Sequence, residues 1–141
     1  MKTLLFSLAL VGLTAVPAQA CRIFRPAEHR IEALRAHEHY SGAVLVRIES
    51  ARHTAEPVQD SRAWEAKIRI VRTLDGRVKM DPIIIVGGWG SAACELNPEI
   101  AKPGSLWVVY IASNGGGQEH INIALPLERA READPALPKV R

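Results

Sequence analysis

The stretch from Trp64 to Ile70 alternates strictly between apolar and charged side chains. This alternation constrains the fold more than any other feature of the sequence. The apolar set is Trp64, Ala66, Ile68 and Ile70, and the charged set is Glu65, Lys67 and Arg69. Successive side chains of a β-strand point to opposite faces, so a period of two fits a strand and does not fit a helix. The stretch therefore predicts a strand with one face in a core and the other in solvent.

Four more segments have strand character and are separated by turn signals. They are "AVLVRIES" at 43–50, "PIIIVGGWG" at 82–90, "GSLWVVYIAS" at 104–113 and "EHINIALPL" at 119–127. Val44, Val46 and Ile48 should share one face of the first segment, and Ile121, Ile123 and Leu125 one face of the last. Asp75-Gly76 and "NGGGQ" predict turns, and the polar stretch 51–62 predicts a loop.

Two helices complete the predicted fold. "RPAEHRIEALRAHE" places Ala27, Ile31 and Leu34 on one helical face, with Pro26 at the first helical position and an end before "HYSG". "ERAREAD" predicts a short helix before Pro135. Five short strands between turns favour a mainly β fold, a five-stranded OB-type barrel with one N-terminal and one short C-terminal helix. An immunoglobulin-like sandwich is the second choice because it needs about seven strands.

The first twenty residues have the pattern of a secretory signal peptide. Lys2 precedes an apolar run at 4–16, and Ala18-Gln19-Ala20 is a small-x-small cleavage site. Cleavage after Ala20 would leave Cys21 as the new N-terminus of a single domain, 21–141, in the periplasm or the medium. Attachment of a lipid to Cys21 is the alternative, although Gln19 fits the lipoprotein pattern badly.

Charge and cysteine content narrow the classes of function. Without Lys2, 17 basic residues remain against 15 acidic ones, and they are interspersed, so no nucleic-acid-binding or membrane-binding patch is expected. No segment after the leader is apolar enough to span a membrane. In an oxidising compartment two cysteines, Cys21 and Cys94, favour one disulfide, and two free thiols are the alternative.

Motifs of catalysis are missing from the sequence. There is no nucleophile elbow, phosphate-binding loop or HExxH motif, so we do not expect an enzyme, and no cofactor is implied. His37 and His39 lack further metal ligands and are interpreted as a solvated helix end, and His53 and His120 as surface or strand-edge residues. Trp64 and Trp107 are interpreted as core residues, whereas Trp89, in a glycine-rich connection, is the aromatic residue expected to face a partner.

The order of these segments resembles that of the tissue inhibitors of metalloproteinases and the wider netrin-like module, whose inhibitory domain is an OB barrel. Cys21 follows the cleavage point, "YSGAVLVRIES" and "WEAKIRIVRTLDG" resemble the first two strands, and "PIIIVGGWGSAAC" is similar to the third strand and its cysteine segment. "GSLWVVYIAS" and "GQEHINIALPL" match the last two strands. The resemblance spans nearly all of the chain after the leader.

The resemblance implies inhibition of a zinc metalloprotease by chelation. Cys21 would pair with Cys94, and its α-amino nitrogen and carbonyl oxygen would bind the zinc of the partner protease. Arg22 would enter the specificity pocket of that protease. The remaining contact ridge would consist of Ile23, Phe24, Ser91, Ala92, Ala93 and Cys94.

Three departures from the family pattern bear on this function. Ile23 stands where the inhibitors have a second cysteine, their further disulfides are missing, and Arg22 replaces a small uncharged residue. A cationic side chain is costly to bury in an apolar pocket, so a protease with an acidic pocket would suit Arg22 better. The alternative function is an exported structural or interaction module, lipid-anchored or not, without inhibitory activity. In either case we expect a monomer.

Overall fold

A five-stranded antiparallel sheet with two helices forms the protein in the computed structural model, which describes residues 26–54, 62–81, 84–88, 97 and 99–139. The elements are α1 (Ala27–Arg35), β1 (Tyr40–His53), β2 (Trp64–Gly76), β3 (Ile84–Gly87), β4 (Leu106–Ser113), β5 (Glu119–Pro126) and α2 (Leu127–Ala133). The predicted mainly β architecture with five strands and two helices is confirmed. Neither described helix is long and apolar enough to cross a bilayer.

The strands follow the order β3-β2-β1-β4-β5. The long central strand β1 pairs with β2 on one side and with β4 on the other, and every neighbouring pair is antiparallel. Over the described ranges no ladder joins β3 to β5, so the sheet is not closed.

Strand β1 is longer than its sequence pattern predicted. It begins at Tyr40 and continues through Ala51–His53, which were expected to belong to a loop, because these residues pair with Trp64–Ala66 of β2. At the other end Gly42 lies opposite Gly76, where a Cβ on Gly76 would approach the Ser41 carbonyl oxygen to 2.2 Å. Gly76 has a φ of +71°, so glycine allows both the close strand approach and the turn out of β2.

One face of the sheet surrounds a cluster that we call the inner core. Its buried residues are Val44, Val46, Ile48, Trp64, Ala66, Ile68, Ile85, Ala101, Trp107, Val109, Ile111 and Ala124. All five strands contribute at least one of these side chains, so the sheet must curve around them. The alternation predicted for β2 is confirmed, since Trp64 is fully buried and Lys67 and Arg69 are exposed.

The opposite face carries a second cluster, the helix-covered core. It consists of Ala27, Ile31, Leu34, Ala43, Leu45, Val108, Tyr110, Ala112, Ile123, Leu125, Leu127 and Ala130. The predicted apolar face of α1 lies here, although the helix begins at Ala27 with Pro26 as its N-cap instead of its first residue. Because α1 and α2 cover this face, β4 is buried on both sides from Trp107 to Ala112.

Strand β5 changes face in its middle, which corrects the predicted phase. Tyr110 pairs with Ile123 but Ile111 pairs with Ile121, so Asn122 is an extra residue, a β-bulge. Ile121 consequently packs against the inner core, whereas Ile123 and Leu125 belong to the helix-covered core. The prediction that all three share one face was wrong for Ile121.

Shortening a valine at the centre of the sheet should reveal how much the inner core stabilises the fold. Val46 is fully buried, whereas Val71 on β2 is 48% exposed, so the same two methyl groups can be removed in two environments. We expect Val46→Ala to lower the free energy of unfolding by about 2 kcal/mol, from lost burial plus a cavity. Val71→Ala should lower it by less than half as much in urea denaturation, and equal losses would contradict the assignment of Val46 to the core.

Candidate functional site

The residues predicted to form the contact ridge lie outside the described part of the chain. This applies to Cys21–Phe24, to Ser91–Cys94 and to Trp89. Their pairing and their roles therefore remain predictions. The described residues do include the two stems of the glycine-rich connection, Gly87–Gly88 on one side and Asn97 on the other.

Both stems of that connection contact the same side chain, Trp64. The Trp64 indole N–H donates a hydrogen bond to the carbonyl oxygen of Asn97 at 3.1 Å. A Cβ on Gly87 would lie 2.5 Å from the Trp64 ring, and one on Gly88 would lie 2.2 Å from the carbonyl oxygen of Arg62. The glycines at 87 and 88 therefore let the backbone approach the indole closely, and Trp64 fixes where the connection leaves and re-enters the fold.

Asn97 also ties the second stem to the edge strand β5. Its side-chain Nδ2 donates a hydrogen bond of 2.6 Å to the carbonyl oxygen of Ala124, and the residue is buried. A buried amide without partners would be costly, and here the Ala124 carbonyl oxygen supplies an acceptor for the Asn97 Nδ2 group. One residue thus connects Trp64, β5 and the end of the glycine-rich connection.

A second contact holds β5 against the chain that follows β2. Glu119, at the start of β5, accepts hydrogen bonds through Oε2 from the backbone N–H groups of Lys79 at 2.8 Å and Met80 at 2.5 Å. Slight burial opposes ionisation of Glu119, but these two donors outweigh it and hold the pKa of the carboxyl below its usual range. Asn97 and Glu119 therefore bridge β5 to segments on either side of β3 without a β-ladder.

A cleft of about 420 Å³ opens beside Asn97. Its apolar lining comes from Ile100, Ala101, Trp107 and Pro126, and its polar lining from Asn97, Glu99, Lys102, Ser105 and Arg129. Trp107 is a core residue, as predicted, and its ring meets that of Trp64 edge to face with centroids 5.9 Å apart. The cleft and the anchor of the glycine-rich connection are thus built on two touching indoles. Sequence patterns missed the cleft because its lining comes from two stretches of the chain, 97–107 and 126–129, that meet only in the folded protein.

A neighbouring cleft of about 390 Å³ extends toward the start of α1. It is lined by Pro26, Ala27, Glu28, Arg129, Glu132 and Ala133. Arg129 of α2 borders both clefts.

The most extensive polar cluster among the described side chains is the Arg35 network, which sequence reasoning also missed. Arg35 of α1 forms ion pairs with Asp75 at the end of β2 and with Asp134 after α2, the latter at 2.8 Å. Tyr40 donates a hydrogen bond to Asp75 at 3.0 Å, and Tyr110 donates one to Asp134 at 2.9 Å. These five residues are up to 99 positions apart in the chain, so no local sequence signal marks them.

The network keeps its tyrosines neutral and Asp75 ionised. Burial is the main cause that raises the pKa of Tyr110 and Tyr40 well above the ordinary value, so both hydroxyls remain donors. Burial opposes ionisation of Asp75, but the hydrogen bonds from Tyr40 and Arg35, together with the guanidinium charge, hold its pKa below the usual range. These hydrogen bonds and ion pairs fasten α1 and the end of α2 to the sheet.

The histidines do not assemble into a metal site. His37 and His39 lie after α1, not on it, and their ring centroids are 5.2 Å apart. His120 is exposed on the edge strand β5, as predicted. Among the described residues no group of three or more histidine, cysteine or carboxylate side chains could hold a metal ion.

Comparison of the chain with protein-family models, with curated proteins and with solved structures finds no match. The fold and the contacts of the site are therefore the basis for a function.

Placing a methyl group on Gly87 should disturb the anchor of the glycine-rich connection. The new Cβ would lie within 2.5 Å of the Trp64 ring, so we expect Gly87→Ala to lower the free energy of unfolding by about 1–3 kcal/mol. Gly115→Ala is the matched control, since nothing lies within 4 Å of its Cβ position and its φ is not positive. Equal stability of the two variants in urea denaturation would show that Trp64 does not pack on Gly87.

Acid should weaken the Arg35 network in a way that depends on Asp75. Because folding lowers the pKa of this carboxyl, its contribution to stability is present above the unfolded pKa, near 4, and is lost as the pH falls below it. Asp75→Asn should therefore destabilise the protein at pH 7, and its difference from the wild type should shrink between about pH 5 and 3. Asp81→Asn, at an exposed position, is the control and should follow the wild type. A pH-independent difference for Asp75→Asn would contradict the ionic role.

Proposed function

We propose that the protein is an exported netrin-like binding protein with an OB-type fold that inhibits a zinc metalloprotease through its N-terminal Cys21. The observation that carries this proposal is the convergence of both stems of the glycine-rich connection on Trp64. An inhibitory loop must be presented in one conformation, because ordering it during association would cost affinity. The Trp64 anchor supplies a rigid base for such a loop.

The strand order supports an OB-type fold. Strand β1 pairs with both β2 and β4, which leaves β3 and β5 as the two edges, and all five strands surround the inner core. A small antiparallel sheet that curves in this way needs only contact between its edges to become a barrel. Asn97 and Glu119 supply side-chain contacts at the β5 edge.

The positions of Pro26 and Asn97 support the pairing of Cys21 with Cys94. Cys21 precedes Pro26 by five residues, an extended span of about 17 Å, and Cys94 precedes Asn97 by three, about 10 Å. Pro26 and Asn97 border neighbouring clefts that share Arg129, which is consistent with a pairing within this combined reach. A disulfide would then hold the N-terminus beside the loop anchored on Trp64.

The proposed chemistry is chelation. A catalytic zinc keeps an open coordination position, and a neutral α-amine with its neighbouring carbonyl oxygen can close a five-membered chelate there. The α-amino group has a pKa near 8, so it becomes neutral at little cost at physiological pH. Arg22 would follow the chelating residue into the specificity pocket, which favours a protease whose pocket contains a carboxylate.

Extending the N-terminus by one alanine tests the chelation directly. In Ala-Cys21 protein the nitrogen of the half-cystine is an amide and no longer a free amine, so we expect inhibition across a panel of zinc proteases to fall at least about 100-fold. The protein should have the mass of Cys21–Arg141 less two hydrogens, which reports cleavage and disulfide together. Equal inhibition by both forms would refute chelation, and inhibition by neither would leave the exported interaction module as the function.

A further inference from the structure

The cleft beside Asn97 has the size and lining of a binding site. Its volume of about 420 Å³ falls within the range of about 300–1,000 Å³ found for ligand pockets. The surface that lines the cleft is more apolar than polar, and polar groups stand around it, which is the composition expected of such sites.

The segment that carries Lys102 is held rigidly at one side of the cleft. Ser105 Oγ donates a hydrogen bond to the Lys102 carbonyl oxygen at 2.5 Å and accepts one from the Trp107 indole at 3.0 Å. The Ser105 N–H also donates to the Lys102 carbonyl oxygen at 3.1 Å, and the Gly104 N–H donates to the Ile48 carbonyl oxygen at 2.8 Å. The backbone that positions the Lys102 ammonium group is therefore fixed before any ligand arrives.

A cationic side chain at the rim of the cleft, Lys102, favours an anionic group in the ligand. Lys102 is exposed, and the other charged side chains of the lining are Glu99 and Arg129. Within the described ranges no carboxylate lies within ion-pair distance of Lys102. A ligand that fits must combine an apolar group for the indole-lined floor with a carboxylate for Lys102.

We propose that this cleft binds a segment of a partner protein in which a large apolar side chain stands next to an acidic residue. The apolar side chain packs on Trp107, Ile100 and Pro126, and the carboxylate faces Lys102. This site uses described residues alone and none of the residues of the proposed chelate. A test of the cleft therefore does not depend on protease inhibition.

A short peptide can test the proposal without a known partner. The probe is acetyl-Asp-Leu-Asp-amide, titrated into ¹⁵N-labelled mature protein and followed by NMR. We expect saturable shifts of the Trp107 indole N–H and the Ser105 amide, whereas the Trp64 indole N–H, bonded to Asn97, stays in place. Acetyl-Asn-Leu-Asn-amide and acetyl-Asp-Gly-Asp-amide should bind at least about tenfold more weakly, since each lacks one half of the recognised chemistry.

Charge reversal at the rim completes the test. Lys102→Glu should weaken binding of the Asp-Leu-Asp peptide about tenfold, while Lys67→Glu, on the exposed face of β2 and outside the cleft, should leave it unchanged. No saturable shift at Trp107, equal binding of the Asn-Leu-Asn peptide, or equal effects of the two lysine variants would each overturn the proposal. The Ala-Cys21 protein should bind the peptide normally even if it has lost inhibition, so a failure of chelation and a failure of the cleft are distinguishable.

Discussion

The hydrogen bond from the Trp64 indole to the Asn97 carbonyl is the contact on which the proposed functional end of the molecule depends. Trp64 is fully buried, so its N–H needs an acceptor, and the acceptor is supplied by the backbone just after the glycine-rich connection. This requirement fixes the position of the Asn97 backbone. The Asn97 side chain in turn fixes how far that backbone lies from β5. The edge-to-face contact with Trp107 extends the same rigid unit to the floor of the cleft.

The helix layer is fastened by a different kind of interaction. Apolar packing on the helix-covered core is non-directional and leaves the helices free to slide, whereas the Arg35 network has defined donors and acceptors from both helix ends and three strands. Burying a charge is costly unless all its bonds are made, and here two carboxylates and two hydroxyls surround one guanidinium. The network therefore sets the position of α1, from which the chain leads back toward Cys21.

Local patterns predicted the elements but not the contacts between them. The alternation at Trp64–Ile70 identified β2 because burial of one face imposes a period of two, and the spacing of Ile31 and Leu34 identified α1 for the corresponding reason. The extra residue Asn122 carries no such signal, since the sequence alternates as in an unbroken strand and both faces of the sheet are apolar cores that accept an isoleucine. The Arg35 network and the cleft join residues from distant segments, so only the folded chain brings them together. For the contact ridge, the prediction still rests on the sequence and on the resemblance. The structure shows the two stems of the glycine-rich connection.

The two proposed sources of affinity, the chelate and the cleft, would respond differently to pH and salt. Chelation requires a neutral amine, so it should strengthen as the pH rises through about 8. Attraction of a carboxylate to Lys102 at the exposed rim depends on screening, so it should weaken as salt is added. Trp64 and Trp107 belong to one packed unit, so the floor of the cleft and the base of the glycine-rich connection have little freedom left to lose on binding. The specificity of a complex that used both sites would come from the cleft and the side chain at position 22, since a zinc chelate alone does not distinguish one metalloprotease from another.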